Sequence, residues 1–91
     1  MALKKDLIVN EQLYSDCYIS FEHIIIDSKE EETGNRNIRA VLFARARKGD
    51  ENPVCFFDCN FVYDLESPDN LWKQGYAVAK QIPELDGAED I

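Results

Sequence analysis

Few side chains in this sequence could do chemistry: one histidine, three cysteines and a scatter of carboxylates. His23 lies within Cys17-Tyr18-Ile19-Ser20-Phe21-Glu22-His23-Ile24-Ile25-Ile26. No serine or cysteine stands at a motif spacing that would make it the base of a nucleophilic pair, so it reads as a structural histidine. Cys17, Cys55 and Cys59 are odd in number and include no CxxC pair. Were Cys55 and Cys59 on one strand, a rise of about 3.3 Å per residue would hold them roughly 13 Å apart, beyond disulfide reach. They read as buried, reduced thiols that pack as small hydrophobes. Asp58 and Asp64 would be separated by roughly 20 Å on a strand, too far to share a proton in one site, and read as solubility or edge-protecting charges. Glu30-Glu31-Glu32 lacks the further spaced oxygen ligands that a cation requires and reads as a solvated loop. There is no phosphate loop, no HExxH and no Gly-rich dinucleotide fingerprint. These residues imply no enzyme, and the expected catalytic, cofactor and metal sets are all empty.

Size and charge narrow the remaining classes. The 91 residues fit a single domain, 1–91, which at this length buries only roughly 60–65% of its unfolded surface. Eighteen acidic against ten basic side chains give a net charge of -8, which opposes nucleic acid and anionic lipid because phosphate contacts need clustered cations. The asymmetry is internal: residues 58–91 hold eight acids against only Lys73 and Lys80. The longest apolar run, Ile24-Ile25-Ile26, is far short of the ~20 residues of a membrane span, so synthesis in the cytoplasm and no membrane span are expected.

The elements that must position these residues are legible from periodicity. Leu7-Ile8-Val9 favours a short strand, which Asn10-Glu11-Gln12 does not extend. Cys17–Ile26 is rich in β-branched and aromatic residues and reads as a long strand, with a bulge near His23 where the alternation loses phase. Ile38–Arg47 and Val54–Asp64 alternate with period two, and the turn-forming Lys48-Gly49-Asp50-Glu51-Asn52-Pro53 between them predicts an antiparallel pair. Placing both apolar sets on one face requires a register such as Ala44 beside Phe57 and Leu42 beside Cys59. Ser67 can cap a helix with Pro68 at its first position. The stripe Leu71, Trp72, Gly75, Tyr76, Val78, Ala79 and Ile82 then predicts a helix over 69–81, stopped by Pro83. Residues 84–91 read as an extended acidic tail. The fold class is α+β: a small antiparallel β-sheet, or a β-barrel or sandwich, with one C-terminal α-helix. Leu42, Ala44, Phe57, Phe61, Tyr63, Trp72, Tyr76 and Ala79 are expected in its core.

The face opposite that core is unusual. On both strands it alternates apolar and charged groups, with Val41, Phe43, Val54, Phe56 and Val62 among Arg39, Arg45, Arg47, Asp58 and Asp64. Either the helix or the N-terminal segment covers this face, or it is a protein interface with an apolar centre and a charged rim. The interface reading assigns Arg39, Val41, Phe43, Arg45, Arg47, Phe56 and Val62 to one binding surface. Glu84, Asp86, Glu89 and Asp90 would offer complementary charge to a neighbouring copy or another subunit. The three arginines are too few, at this net charge, to suggest nucleic acid.

The C-terminal third carries a resemblance. Ser67-Pro68-Asp69-Asn70-Leu71-Trp72-Lys73-Gln74-Gly75-Tyr76, Val78-Ala79-Lys80 and Ile82-Pro83-Glu84-Leu85, with Ala88 and Asp90, resemble the end of small proteins encoded among the tail genes of long-tailed bacteriophages. In those, an aromatic-rich strand leads into a short helix and a Leu-Pro-Glu-Phe-like segment. Here Ile82 and Leu85 replace the Leu and Phe, and Ile91 stands where a cysteine is familiar. The resemblance implies a virion component of the tail tip, baseplate or fibre attachment. Such a component binds other tail proteins and copies of itself, in a trimeric or hexameric ring, and carries no catalytic residues. A small acidic inhibitor of a host defence protein, similar to anti-CRISPR proteins, and a general adaptor module are the alternative expectations.

Overall fold

A computed structural model describes residues 1–29 and 31–91. Its frame is one five-stranded antiparallel sheet: β1 (Leu3–Val9), β2 (Gln12–Lys29), β3 (Arg36–Arg45), β4 (Cys55–Tyr63) and β5 (Glu89–Asp90), in the order β4-β3-β2-β1-β5. One helix, α1 (Leu71–Ala79), and a 3-10 turn (Pro83–Leu85) follow β4. The α+β class with a small antiparallel sheet is therefore the architecture, and the sheet is open.

The segment that the sequence left ambiguous is a tight hairpin. Asn10 and Glu11 both have positive φ, 51° and 67°, the conformation of a two-residue turn whose twist matches its flanking strands. The residues that failed to extend the first strand are the turn itself, and Gln12 opens β2 opposite Val9. β2 is the spine of the sheet. Its first part pairs with β1 and its later part with β3, and the ladder with β3 shifts between Phe21 and His23, where the bulge was expected. A second irregularity falls between Lys5 and Leu7, across from Asp16. That residue has φ 52°, and its N–H donates to the Asp6 carboxylate at 2.7 Å.

β3 and β4 pair through nine positions without interruption, from Arg36 opposite Tyr63 to Ala44 opposite Cys55. The shared apolar face is as expected, but the register is two residues away from the one proposed: Leu42 faces Phe57 and Ala40 faces Cys59. The turn explains the difference. Asp50 accepts the Arg47 N–H on its carboxylate at 3.2 Å and the Arg45 Nε–H on its carbonyl at 2.9 Å, which ends β3 at Arg45. Gly49, at φ 94°, completes the reversal.

The helix starts later than expected. Asn70 is its cap, accepting the Lys73 N–H at 2.9 Å, whereas Ser67 accepts the Asp69 N–H. Gln74 holds the preceding loop in place: its amide donates to the carbonyls of Asp64 and Asp69, and its Oε1 accepts the Asp64 N–H. The chain before Asn70 is thereby committed to a loop. After Ala79 the backbone tightens through Lys80, Gln81 and Ile82, whose N–H groups donate to Tyr76, Val78 and Ala79.

The core lies between the sheet and these C-terminal elements. Leu3, Cys17, Ile19, Ile38, Leu42, Ala44, Ala79 and Leu85 are buried, with Phe61 and Tyr76 beside them. Of the expected core, Phe57 and Tyr63 are half-buried and Trp72 is exposed. In the first turn of the helix Leu71 packs against the core, while Trp72 stays 47% exposed, its ring 6.2 Å from that of Phe21 between centroids.

Residues 84–91 are not an extended tail. Leu85 and Ala88 are buried, and Glu89–Asp90 pair with Leu3 and Lys4 at the sheet edge. Ala2 and Ile91 exchange backbone hydrogen bonds at 3.1 and 2.9 Å. The apolar residues Leu85 and Ala88 within an acidic composition are what dock this segment.

Candidate functional site

The helix decides which sheet face is open. Gly75 brings α1 so close to the sheet that a Cβ there would lie 2.9 Å from the Phe21 ring and 3.0 Å from the Phe61 ring. The Tyr76 hydroxyl accepts the Phe21 N–H at 3.1 Å, a group released by the neighbouring bulge. Helix and 3-10 turn both cover the inner face, so the outer face meets solvent. Neither the helix nor the N-terminal strand lies over it.

Paired residues in an antiparallel ladder share a face, which fixes the outer surface row by row. Phe43 sits between Ser20 and Phe56, Val41 between His23 and Asp58, and Arg39 between Ile25 and Asn60. Phe56 is 65% exposed, Ile25 52% and Val62 43%. The centre is aromatic. The His23 ring meets Phe43 edge-on at 5.8 Å between centroids, and the Arg45 guanidinium lies 5.3 Å from the same ring. Arg45 is held there by Glu22 at 3.2 Å, while Arg39 pairs with Asp27 at 3.1 Å. A shallow hollow of about 310 Å³ runs between β2, β3 and β4, lined by His23, Ile25, Arg39, Val41, Asp58 and Asn60.

Of the residues assigned to this surface, Arg39, Val41, Phe43, Arg45, Phe56 and Val62 come together. Arg47 does not join the strand row because it lies in the turn, its N–H bound by Asp50. The acidic set falls elsewhere. Glu89 pairs with Lys4 at 3.3 Å and Asp90 with Lys80, on or beside β5, at the opposite edge of the sheet from β4. Glu84 and Asp86 are exposed around the 3-10 turn. The arginines and the C-terminal carboxylates are thus two separate regions.

His23 and Ile25 join the outer face although the sequence did not assign them to it. The signal was present in the expected bulge: one extra residue flips the phase of β2, so Phe21 faces inward and His23 outward. Applied to the rest of the strand, that flip would have placed Ile25 on the outer face too.

The thiols are chemically quiet. Burial pushes Cys59 up to about 11 and raises Cys17 and Cys55 above the ordinary thiol value. A thiol held protonated is a poor nucleophile and a poor metal ligand. Among the described residues, no group of three His, Cys, Asp or Glu side chains is placed to hold a metal ion, and no helix is long and apolar enough to cross a membrane.

A second depression, of about 500 Å³, opens where the end of β1 approaches the start of β4. Leu7, Val9, Cys55 and Phe57 line it together with the carboxylates Asp6 and Glu84. Comparison with protein-family models, with curated proteins and with solved structures finds no match to this chain.

Proposed function

We propose that this protein is a structural component of a long-tailed bacteriophage tail, at the tip, baseplate or fibre attachment, and that it acts by binding neighbouring tail proteins without catalysing a reaction. The observation that carries the reading is the uncovered outer face. Phe56, Ile25 and Val62 are exposed together around a Phe43–His23–Arg45 cluster, in a chain with few residues to spare for an unused apolar surface. An aromatic centre with arginines and carboxylates at its rim is the anatomy of a protein-binding patch. The tail assignment draws on the resemblance of 67–90 to proteins encoded among tail genes. Those residues form the helix, the 3-10 turn and β5, which close the inner face and leave the outer one open.

The test is quantitative mass spectrometry of purified virions from cells expressing this protein. A structural component is present at a fixed copy number relative to the other tail proteins. Absence from the particle, with the protein present in the infected cell, removes the tail assignment.

A further inference from the structure

Besides its open face, the sheet has an open edge. β4 pairs only with β3, and among the described residues no backbone group meets its other side. Nine residues long, Cys55-Phe56-Phe57-Asp58-Cys59-Asn60-Phe61-Val62-Tyr63 contains no proline, glycine or lysine, and its pairing shows no bulge. Edges of natural sheets are ordinarily guarded by such devices or by charged side chains, and Asp58 is the one charge along this strand. An edge of this length with a single charge on it is a template for a strand that can match that charge.

The sequence of β4 says which strand fits. Along a free edge, the outward N–H and C=O groups belong to every second residue. A second copy placed antiparallel across a two-fold axis can bond to them only if the axis passes through a residue, because only then do opposed residues point the same way. With the axis at Asp58, the two carboxylates face each other. With the axis at Asn60, Asp58 faces Val62. With the axis at Cys59, every position is complementary: Phe56 faces Val62 and Phe57 faces Phe61, while Asp58 faces Asn60, whose amide can donate to it. Cys55 then faces Tyr63. The strand is a palindrome of apolar and polar residues about Cys59.

Resting on the reading of this protein as an assembly component, we infer that it forms a two-fold dimer through β4, with Cys59 on the axis and the two sheets joined into one. The partner is a second copy of this chain. The contact closes on itself, as an isologous contact must, because the far edge of each sheet offers only the two residues of β5. Joining the sheets also doubles the outer face, since opposed residues lie on the same side.

The register gives a test that leaves the core alone, since Asp58 and Asn60 are both exposed. Sedimentation equilibrium is run on the wild type, on Asn60→Asp and on the double variant Asp58→Asn/Asn60→Asp, with folding checked by circular dichroism. Asn60→Asp opposes carboxylates at two symmetric places and is expected to weaken the dimer roughly ten-fold. The double variant exchanges the two side chains, restores the pairing and returns wild-type affinity. A wild type that stays monomeric at the highest soluble concentration overturns the dimer. A dimer indifferent to Asn60→Asp, or not rescued by the exchange, overturns the register. Either result leaves binding through the outer face standing, because that is read from the virion and not from self-association.

Discussion

Gly75 shows how one residue sets which face of this protein is available. Its hydrogen lets α1 rest against Phe21 and Phe61, and Phe21 is itself hemmed in by Tyr76 at 4.7 Å and Phe61 at 6.3 Å between ring centroids. Alanine would ordinarily favour a helix interior by about 1 kcal/mol over glycine. Here the added carbon meets rings with little room to retreat, and overpacking costs about 1–3 kcal/mol. Gly75→Ala is therefore expected to lower stability in denaturant titration, against the helix-propensity trend. Cys59 makes a pH-dependent counterpart. Its folded-state value, about 11, lies above the 9.0 of an ordinary thiol, so above pH 9 the unfolded chain loses its proton first and is favoured. Stability is fully present below pH 9 and falls as pH rises towards 11, by about 2–3 kcal/mol from this residue. Cys59→Ala should flatten the slope of stability against pH across that window, whatever it does to stability at neutral pH.

At the scale of elements, the C-terminal segment is where sequence and structure part most clearly. The period-two strands, the helix and the bulge at His23 were legible because each is written in local alternation or in helical spacing. The strand β5 was not, because two residues carry no period and Glu89–Asp90 are fixed by what precedes them. Leu85 and Ala88 anchor that segment as members of the common core, and burial in a core assembled from distant strands is not written in local sequence. The β3–β4 register escaped for a similar reason: alternation fixes which face a residue takes but not which of two even-numbered shifts the turn selects, and Asp50 selects it. Likewise, the open outer face could be recognised as apolar from sequence, but whether the helix covered it depended on the direction of helix packing. Leu85→Ala tests the docking of 84–91 directly. A fully buried leucine reduced to alanine should cost about 2–5 kcal/mol, measured by thermal or denaturant unfolding, whereas a free tail would show no change.

Taken as a whole, the molecule is elongated, 45 × 23 × 21 Å, with its long direction set by the eighteen-residue β2. A charge of -8 works against self-association at low ionic strength, so contacts between copies should tighten with added salt as repulsion is screened, while contacts to a basic partner should weaken. Burying apolar side chains on this face yields roughly 25 cal/mol per Å², which makes Phe56, its most exposed aromatic at 65%, the residue to change. Phe56→Ser lies outside the core and is expected to leave folding by circular dichroism intact. The most direct measurement is a competition: wild-type and Phe56→Ser chains are supplied together during particle assembly, and their ratio in purified virions is read by mass spectrometry. The virion ratio is expected to shift strongly towards wild type relative to the ratio in the cell. Equal incorporation of the two folded chains would contradict it.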